Sequence, residues 1–188
     1  MQFSIDKSTH LLMDVPYRPS PNCDARPDAK QIDLIVLHGI SLPPGQFGSD
    51  HIEQLFTNQL DASAHPFFAE IEGLKVSSHV LIRRTGEVMQ FVPFSQRAWH
   101  AGQSHYQGRQ CCNDFSIGIE LEGTDELDYT EAQYASLAPL LASLIAFYPG
   151  LSREHITGHS DIAPGRKTDP GPAFDWDKLS HVLDKILG

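Results

Sequence analysis

Ile32-Asp33-Leu34-Ile35-Val36-Leu37-His38-Gly39 is a mostly apolar, partly β-branched run that stops on a histidine and a glycine. That pattern predicts a buried strand. Buried strands of this kind belong to α/β sheets, where ligands bind beyond the carboxyl ends of the strands. His38 falls at that end, and the loop Ser41-Leu42-Pro43-Pro44-Gly45 follows it.

Working outward, residues 1–31 are irregular and proline-rich (Pro16, Pro19, Pro21, Pro27), which predicts an extended N-terminal arm. Residues 50–60 read as a short helix with Ile52, Leu55 and Phe56 on one face. Residues 61–73 read as loop. Residues 76–82 and 87–92 read as strands joined through Arg84-Thr85-Gly86 as a hairpin. Residues 98–113 read as a second long loop, and residues 116–122 as a further strand. Thr130 and Gln133 form a capping box for a helix over 130–148. Pro139 inside that helix costs roughly 3 kcal/mol, so a kink or a late start is expected. Asp175 caps a last helix, with Leu179, Val182, Leu183 and Ile186 expected to face inward. The order strand, helix, hairpin, strand, helix, site loop, helix predicts an α/β fold: one domain over 1–188 with a central mixed sheet flanked by helices.

The chain has 188 residues, enough for one sizeable core. Its formal net charge is −10, and no Lys/Arg cluster offsets it, which argues against generic nucleic-acid binding. No run approaches the ~20 apolar residues of a membrane span, and the N-terminus has no apolar signal segment. A cytoplasmic protein without a membrane or an obligate protein partner is expected. Three cysteines without framework spacing agree with that, and Cys112 reads as a buried free thiol.

The stretch Gly158-His159-Ser160-Asp161-Ile162-Ala163-Pro164-Gly165-Arg166-Lys167-Thr168-Asp169-Pro170-Gly171 places a histidine, a lysine and a carboxylate in a loop punctuated by glycine and proline. Such a loop can bend His159 back toward Asp169. Residues two apart in extended chain point the same way, so Lys167 and Asp169 can face one site. With His38, this makes two histidines and a carboxylate, a set that leaves a tetrahedral zinc one open position, as in catalytic rather than structural sites. Hydrolysis at such a metal also needs a proton acceptor. Strand alternation puts Gly118, Glu120 and Glu122 on one face and Ile117, Ile119 and Leu121 on the other. Glu120 is the candidate base, and Gly118 leaves room beside it. On alternation alone, both glutamates would more often face solvent. Lys167 is the candidate oxyanion stabiliser, a role in which losing one donor costs ~10²–10³ in rate.

The other histidines are expected mostly to be structural. His65, His79 and His100 stand nearest the site segments, and His10, His51, His105, His155 and His181 are weaker candidates. Lys75, His100 and Arg109 are the substrate-binding candidates, with solvated surface charge the ordinary role for Lys75, Arg83, Arg84, Arg97 and Arg109 taken one by one.

Four segments together resemble one known family: His38-Gly39-Ile40-Ser41-Leu42-Pro43-Pro44-Gly45, Arg97-Ala98-Trp99-His100-Ala101-Gly102, Cys112-Asn113-Asp114-Phe115-Ser116-Ile117-Gly118-Ile119-Glu120-Leu121-Glu122-Gly123, and the 158–171 loop. They are similar to the AmpD-type N-acetylmuramoyl-L-alanine amidases, cytoplasmic 1,6-anhydro-muropeptide amidases of Gram-negative bacteria. The likeness runs from about Pro19 to Trp176. It implies the zinc amidase fold shared with phage-lysozyme-type amidases and peptidoglycan recognition proteins. It implies His38, His159 and Asp169 as zinc ligands, Glu120 as proton acceptor and Lys167 as transition-state stabiliser. The implied reaction cleaves the amide between (anhydro)muramic acid and L-alanine of a small muropeptide during peptidoglycan recycling. Its loss in that family raises inducible β-lactamase. One departure is Gly39, where the family commonly has Asn.

Two rivals follow from the same residues. A non-catalytic muropeptide-binding module of the same fold would lose a zinc ligand, and none is lost here. A non-haem iron oxygenase is suggested by His159-Ser160-Asp161, half of a facial triad, but no suitable later histidine follows.

Overall fold

A computed structural model describes residues 2–188. In chain order its strands and helices are β1 (Cys23–Ala25), β2 (Leu34–Ile40), α1 (His51–Phe56), α2 (Pro66–Glu70), β3 (Val80–Ile82), β4 (Val88–Gln90), β5 (Gln96–Ala98), β6 (His105–Tyr106), β7 (Arg109–Gln110), β8 (Ser116–Glu122), α3 (Glu131–Phe147), β9 (Ile156–Gly158), α4 (His159–Ile162) and α5 (Trp176–Leu187). Five strands form the central sheet in the order β4-β3-β8-β2-β9. The pairs β3/β8, β8/β2 and β2/β9 are parallel, and the β3/β4 hairpin is antiparallel. This is the mixed sheet that the order of elements predicts.

The run that opens β2 is buried because parallel strands need both faces covered. Leu34, Ile35, Val36 and Leu37 are fully inaccessible, each stabilising the fold by about 1.5–3 kcal/mol relative to an exposed side chain. Their alternation splits them between two layers. Ile35 and Leu37, with Ile117, Ile119 and Leu121 of β8, pack against Leu137, Leu141 and Leu144 of α3 and Leu179 and Leu183 of α5. Leu34 and Val36 face the other way, onto Ala101, Cys112, Phe115 and Ile162. A third cluster, with Ile52, Leu55 and Phe56 of α1 and Phe68 of α2, covers Leu81 and Met89 on that second face.

Several elements differ from expectation. Helix α1 ends at Phe56 rather than near residue 60, because Asn58 turns to φ 58°. Residues 61–73, read as loop, hold a 3₁₀ turn at Ala62–Ala64 and then α2, whose N-terminus is capped by the His65 side chain with Pro66 in the first turn. Residues 98–113 contain the small β6/β7 hairpin. The strands of the β3/β4 hairpin are shorter than their apolar runs. Helix α3 starts on time, with the Thr130–Gln133 capping box formed, and runs through Pro139. The proline removes one backbone donor, and the buried contacts of Leu137, Leu140, Leu141 and Leu144 carry the helix across it. Asp175 caps α5 as expected, but Ile186 is 45% exposed.

Within residues 2–31, Tyr17 bridges to Gln90 on the edge strand β4, while β1 pairs with β5 in a separate two-stranded sheet. Arg26 is buried and donates to the carbonyls of Phe94, Asn113, Asp114 and Ser116.

Candidate metal centre and active site

The carboxyl ends of β2 and β9 lie side by side, with Leu37 in register with Gly158. His38 follows one residue later on β2, and His159 opens α4 directly after β9. The chain then turns back, and the Ser160 N–H donates to the Asp169 carbonyl at 2.9 Å. Tyr129 fixes the next residue by donating its hydroxyl to the Pro170 carbonyl at 2.9 Å. His38 Nδ1, His159 Nδ1 and Asp169 Oδ2 consequently form a triangle with sides of 3.0, 3.2 and 3.1 Å. Tetrahedral zinc with ligand distances of about 2.0–2.1 Å has donor separations of about 3.3 Å. The donor types and spacing therefore fit one face of a zinc tetrahedron, with the fourth position open to the cleft.

Each histidine has its other ring nitrogen engaged. His159 Nε2 lies 3.2 Å from the Ala101 carbonyl, an obligate acceptor. His159 therefore carries its proton on Nε2 and keeps a lone pair on Nδ1. His38 Nε2 contacts His100 Nδ1 at 2.9 Å. Burial pulls His38 down to about 4, against the opposing pull of the adjacent Asp169 carboxylate on a charged ring, so the ring is neutral and ligand-ready near pH 7.

Glu120 lies on β8 in register with His38. It is buried, and among the described residues its Oε2 has no hydrogen-bond partner. Burial raises its carboxyl well above the ordinary value; the Asp169 charge adds to this, and the Lys167 ammonium opposes it. An unpartnered buried carboxylate oxygen is costly, and Glu120 lines the same cleft as His38, His159 and Asp169. Glu122 is buried too, with Gly48 and Arg84 backbone N–H groups on its carboxylate at 2.6 and 3.1 Å. The face that alternation alone would leave to solvent is covered by the α1/α2 layer and the 98–115 segment. Lys167 is exposed and lines the same cleft, about 310 Å³ in volume, as His38, Glu120, His159 and Asp169.

Of the three substrate-binding candidates, His100 lines the cleft. Arg109 sits at the opposite end of the sheet, in an ion pair with Asp33 at 2.8 Å and over the Phe115 ring. Asp33 precedes the amino end of β2, so Arg109 is a full strand length from the cleft and does not serve it. Lys75 lines an adjoining depression that shares Leu55, Ile71 and Leu74 with the cleft. His100 is buried at the cleft floor with both ring nitrogens on protein partners, which leaves none for substrate. His65 caps α2, and His79 accepts from the Gly118 N–H at 3.0 Å. Asp161 is outside the donor triangle: its carboxylate accepts from Thr157 Oγ1 and the Gly158 N–H at 2.9 and 3.0 Å. That removes the facial-triad reading. The apolar cleft wall of Leu42, Phe67, Ile71 and Leu74 escaped the sequence reading because Phe67 and Ile71 fall in a segment read as loop. Cys112 is a buried free thiol, as expected.

Comparison with known proteins gives a consistent picture. The family model for N-acetylmuramoyl-L-alanine amidase matches residues 28–172. The chain is 62% identical over 165 residues to the 1,6-anhydro-N-acetylmuramyl-L-alanine amidase AmpD of Salmonella typhimurium (strain SL1344), covering 88% of both chains. A crystal structure of a selenomethionine AmpD derivative matches with a TM-score of 0.91 at 55% identity, over 95% of this chain and 98% of that one. The amidase AmiD from E. coli, in complex with anhydro-N-acetylmuramic acid-L-Ala-D-gamma-Glu-L-Lys, matches with a TM-score of 0.59 at 29% identity, over 95% of this chain and 65% of that one.

Proposed function

This chain belongs to the N-acetylmuramoyl-L-alanine amidase family, and from that premise we propose that it is a zinc-dependent amidase cleaving the bond between (1,6-anhydro-)N-acetylmuramic acid and L-alanine of muropeptides. The observation that carries the proposal is the donor triangle of His38, His159 and Asp169 with the unpartnered Glu120 oxygen beside it. Zinc bound there would polarise the scissile carbonyl and lower the pKa of a water.

The protein's own groups supply the rest. Glu120 takes the proton of the attacking water at its free carboxylate oxygen, and the raised affinity of that buried carboxyl for a proton suits the task. The same proton is then returned to the departing alanine nitrogen. Lys167 offers its ammonium to the oxygen that becomes negative in the tetrahedral intermediate. The apolar wall of Leu42, Phe67, Ile71 and Leu74 excludes water from one side of the substrate.

A small-molecule anhydro-muropeptide is the proposed substrate, and the relative seen with one in its site supports that class. Residues 1–188 are read as one amidase domain, with residues 1–31 as an extended N-terminal arm. Among the described residues no helix is long and apolar enough to cross a membrane. A cytoplasmic place in peptidoglycan recycling is proposed; three free cysteines fit a reducing compartment. Loss of the enzyme is then expected to raise inducible β-lactamase through accumulated muropeptides.

The test is metal analysis of the purified protein, paired with mass spectrometry of an anhydro-muropeptide digest. Stoichiometric zinc and a released stem peptide support the proposal. Muropeptide binding without release would instead make the protein a binding module.

A further inference from the structure

The donor triangle requires His38 to present a bare Nδ1, yet nothing in the triangle itself enforces that tautomer, since Asp169 would equally accept a proton from Nδ1. The remaining contacts of His38 lead away from the site along a chain of single hydrogen bonds. His38 Nε2 is 2.9 Å from His100 Nδ1, His100 Nε2 is 3.1 Å from Ser116 Oγ, and Ser116 Oγ is 2.5 Å from the Cys112 carbonyl. All three side chains are buried.

The direction of this chain follows by elimination. A carbonyl oxygen only accepts, so the Ser116 hydroxyl proton points at Cys112. Ser116 Oγ must then accept from His100 Nε2–H. A neutral His100 has its single proton on Nε2, which makes its Nδ1 an acceptor. His38 Nε2 must supply the proton there, and a neutral His38 protonated on Nε2 keeps its Nδ1 lone pair free.

The fold builds a socket for this arrangement. Ser116, Gly118 and Glu120 share the face of β8 that lies in register with Leu34, Val36 and His38 of β2. The His100 ring lies over Gly118, where an added Cβ would come within 2.4 Å of its Cγ. The Asn113 side chain accepts from the His100 and Ala101 backbone N–H groups at 3.1 and 2.8 Å and fixes the segment that carries the ring.

We propose that His100 is a positioning residue which, anchored by Ser116, sets the His38 tautomer and so prepares Nδ1 as a metal donor. The inference rests on the zinc reading of the site. Outer partners of metal-bound histidines typically change metal affinity by about 10–100-fold when removed.

The experiment has two arms. The first is ¹⁵N NMR of the imidazoles in metal-free wild-type protein. A His38 with protonated Nε2 and bare Nδ1 supports the relay, and a His38 protonated on Nδ1 overturns it. The second is zinc affinity by chelator competition for H100L, H100N and S116A. Leucine fills the space without a hydrogen bond, whereas asparagine restores an acceptor near Nδ1 but leaves space. A relay predicts zinc binding weakened about 10–100-fold in H100L, weakened in S116A, and substantially recovered in H100N. Wild-type affinity in H100L, or H100N weaker than H100L, overturns it as mere packing. Should H100L fail to fold, the wild-type NMR arm decides alone. Failure of the zinc reading is distinct, since wild-type protein would then bind no zinc at all.

Discussion

His38 and Glu120 stand directly opposite one another on the adjacent parallel strands β2 and β8. Register therefore puts a ring nitrogen donor and a buried carboxylate on one face, at the carboxyl end of a sheet. Neither position depends on a flexible loop. The proposed proton acceptor is held relative to the proposed metal ligand by backbone hydrogen bonds alone.

Separating the two roles by mutation follows from this. E120Q is expected to retain zinc and fold, while kcat falls by about 10²–10⁴, the usual worth of a general base. D169A is expected to lose zinc and activity together. Metal content and single-turnover rates on an anhydro-muropeptide check both. Full activity in E120Q would remove Glu120 from proton transfer.

Lys167 is exposed and lines the cleft without a role in the packed core. K167A is expected to leave thermal stability near wild type and to lower kcat and kcat/KM together by about 10²–10³. A change confined to KM would make Lys167 a substrate holder instead.

Acid is expected to destabilise the metal-free fold. Burial, with the nearby Arg26 charge, holds His79 down to about 3 against an ordinary 6.5. Between those values the unfolded chain binds more protons, so stability rises with pH there and falls on acidification. Each such group contributes a slope of about 1.4 kcal/mol per pH unit. Glu120, with its raised carboxyl, contributes the opposite sign above its ordinary 4.5, because there the folded state holds the extra proton. Urea midpoints from pH 7 to pH 4.5 should therefore fall in wild type and fall more steeply in E120Q. A flat profile in both would contradict the burial of these groups.

Two glycines are set by neighbours rather than by turns. A Cβ at Gly118 would meet the His100 ring, and one at Gly39 would meet the Tyr129 hydroxyl at 2.4 Å. G118A is expected to cost about 1–3 kcal/mol through overpacking. G39N requires the Tyr129 ring to move and is expected to lower the melting temperature. Calorimetry of both variants checks this; unchanged stability would mean that the neighbouring rings yield freely.

The site was legible wherever chemistry and periodicity coincide. The β2 run ends on His38, the alternation of 116–122 sets Glu120 apart from Ile119 and Leu121, and the turn-rich 158–171 segment allows His159 to meet Asp169. Short elements were not legible. Helix α2 is capped by a histidine rather than by Ser, Thr, Asp or Asn. The β6/β7 turn has Gln107 at φ 46°, where Asn or Asp is the usual signal. Arg109 looked available because its partner Asp33 is remote in sequence. The contact of His100 with Ser116 spans residues 101–115, and no spacing rule reaches across a loop of that kind.

Anomalous diffraction from crystals of the purified protein at the zinc edge is the most direct measurement. One strong peak bounded by His38 Nδ1, His159 Nδ1 and Asp169 Oδ2, and lost in D169A, is the expected result. An active preparation with no metal at that position, or with its zinc on other residues, would contradict the mechanism.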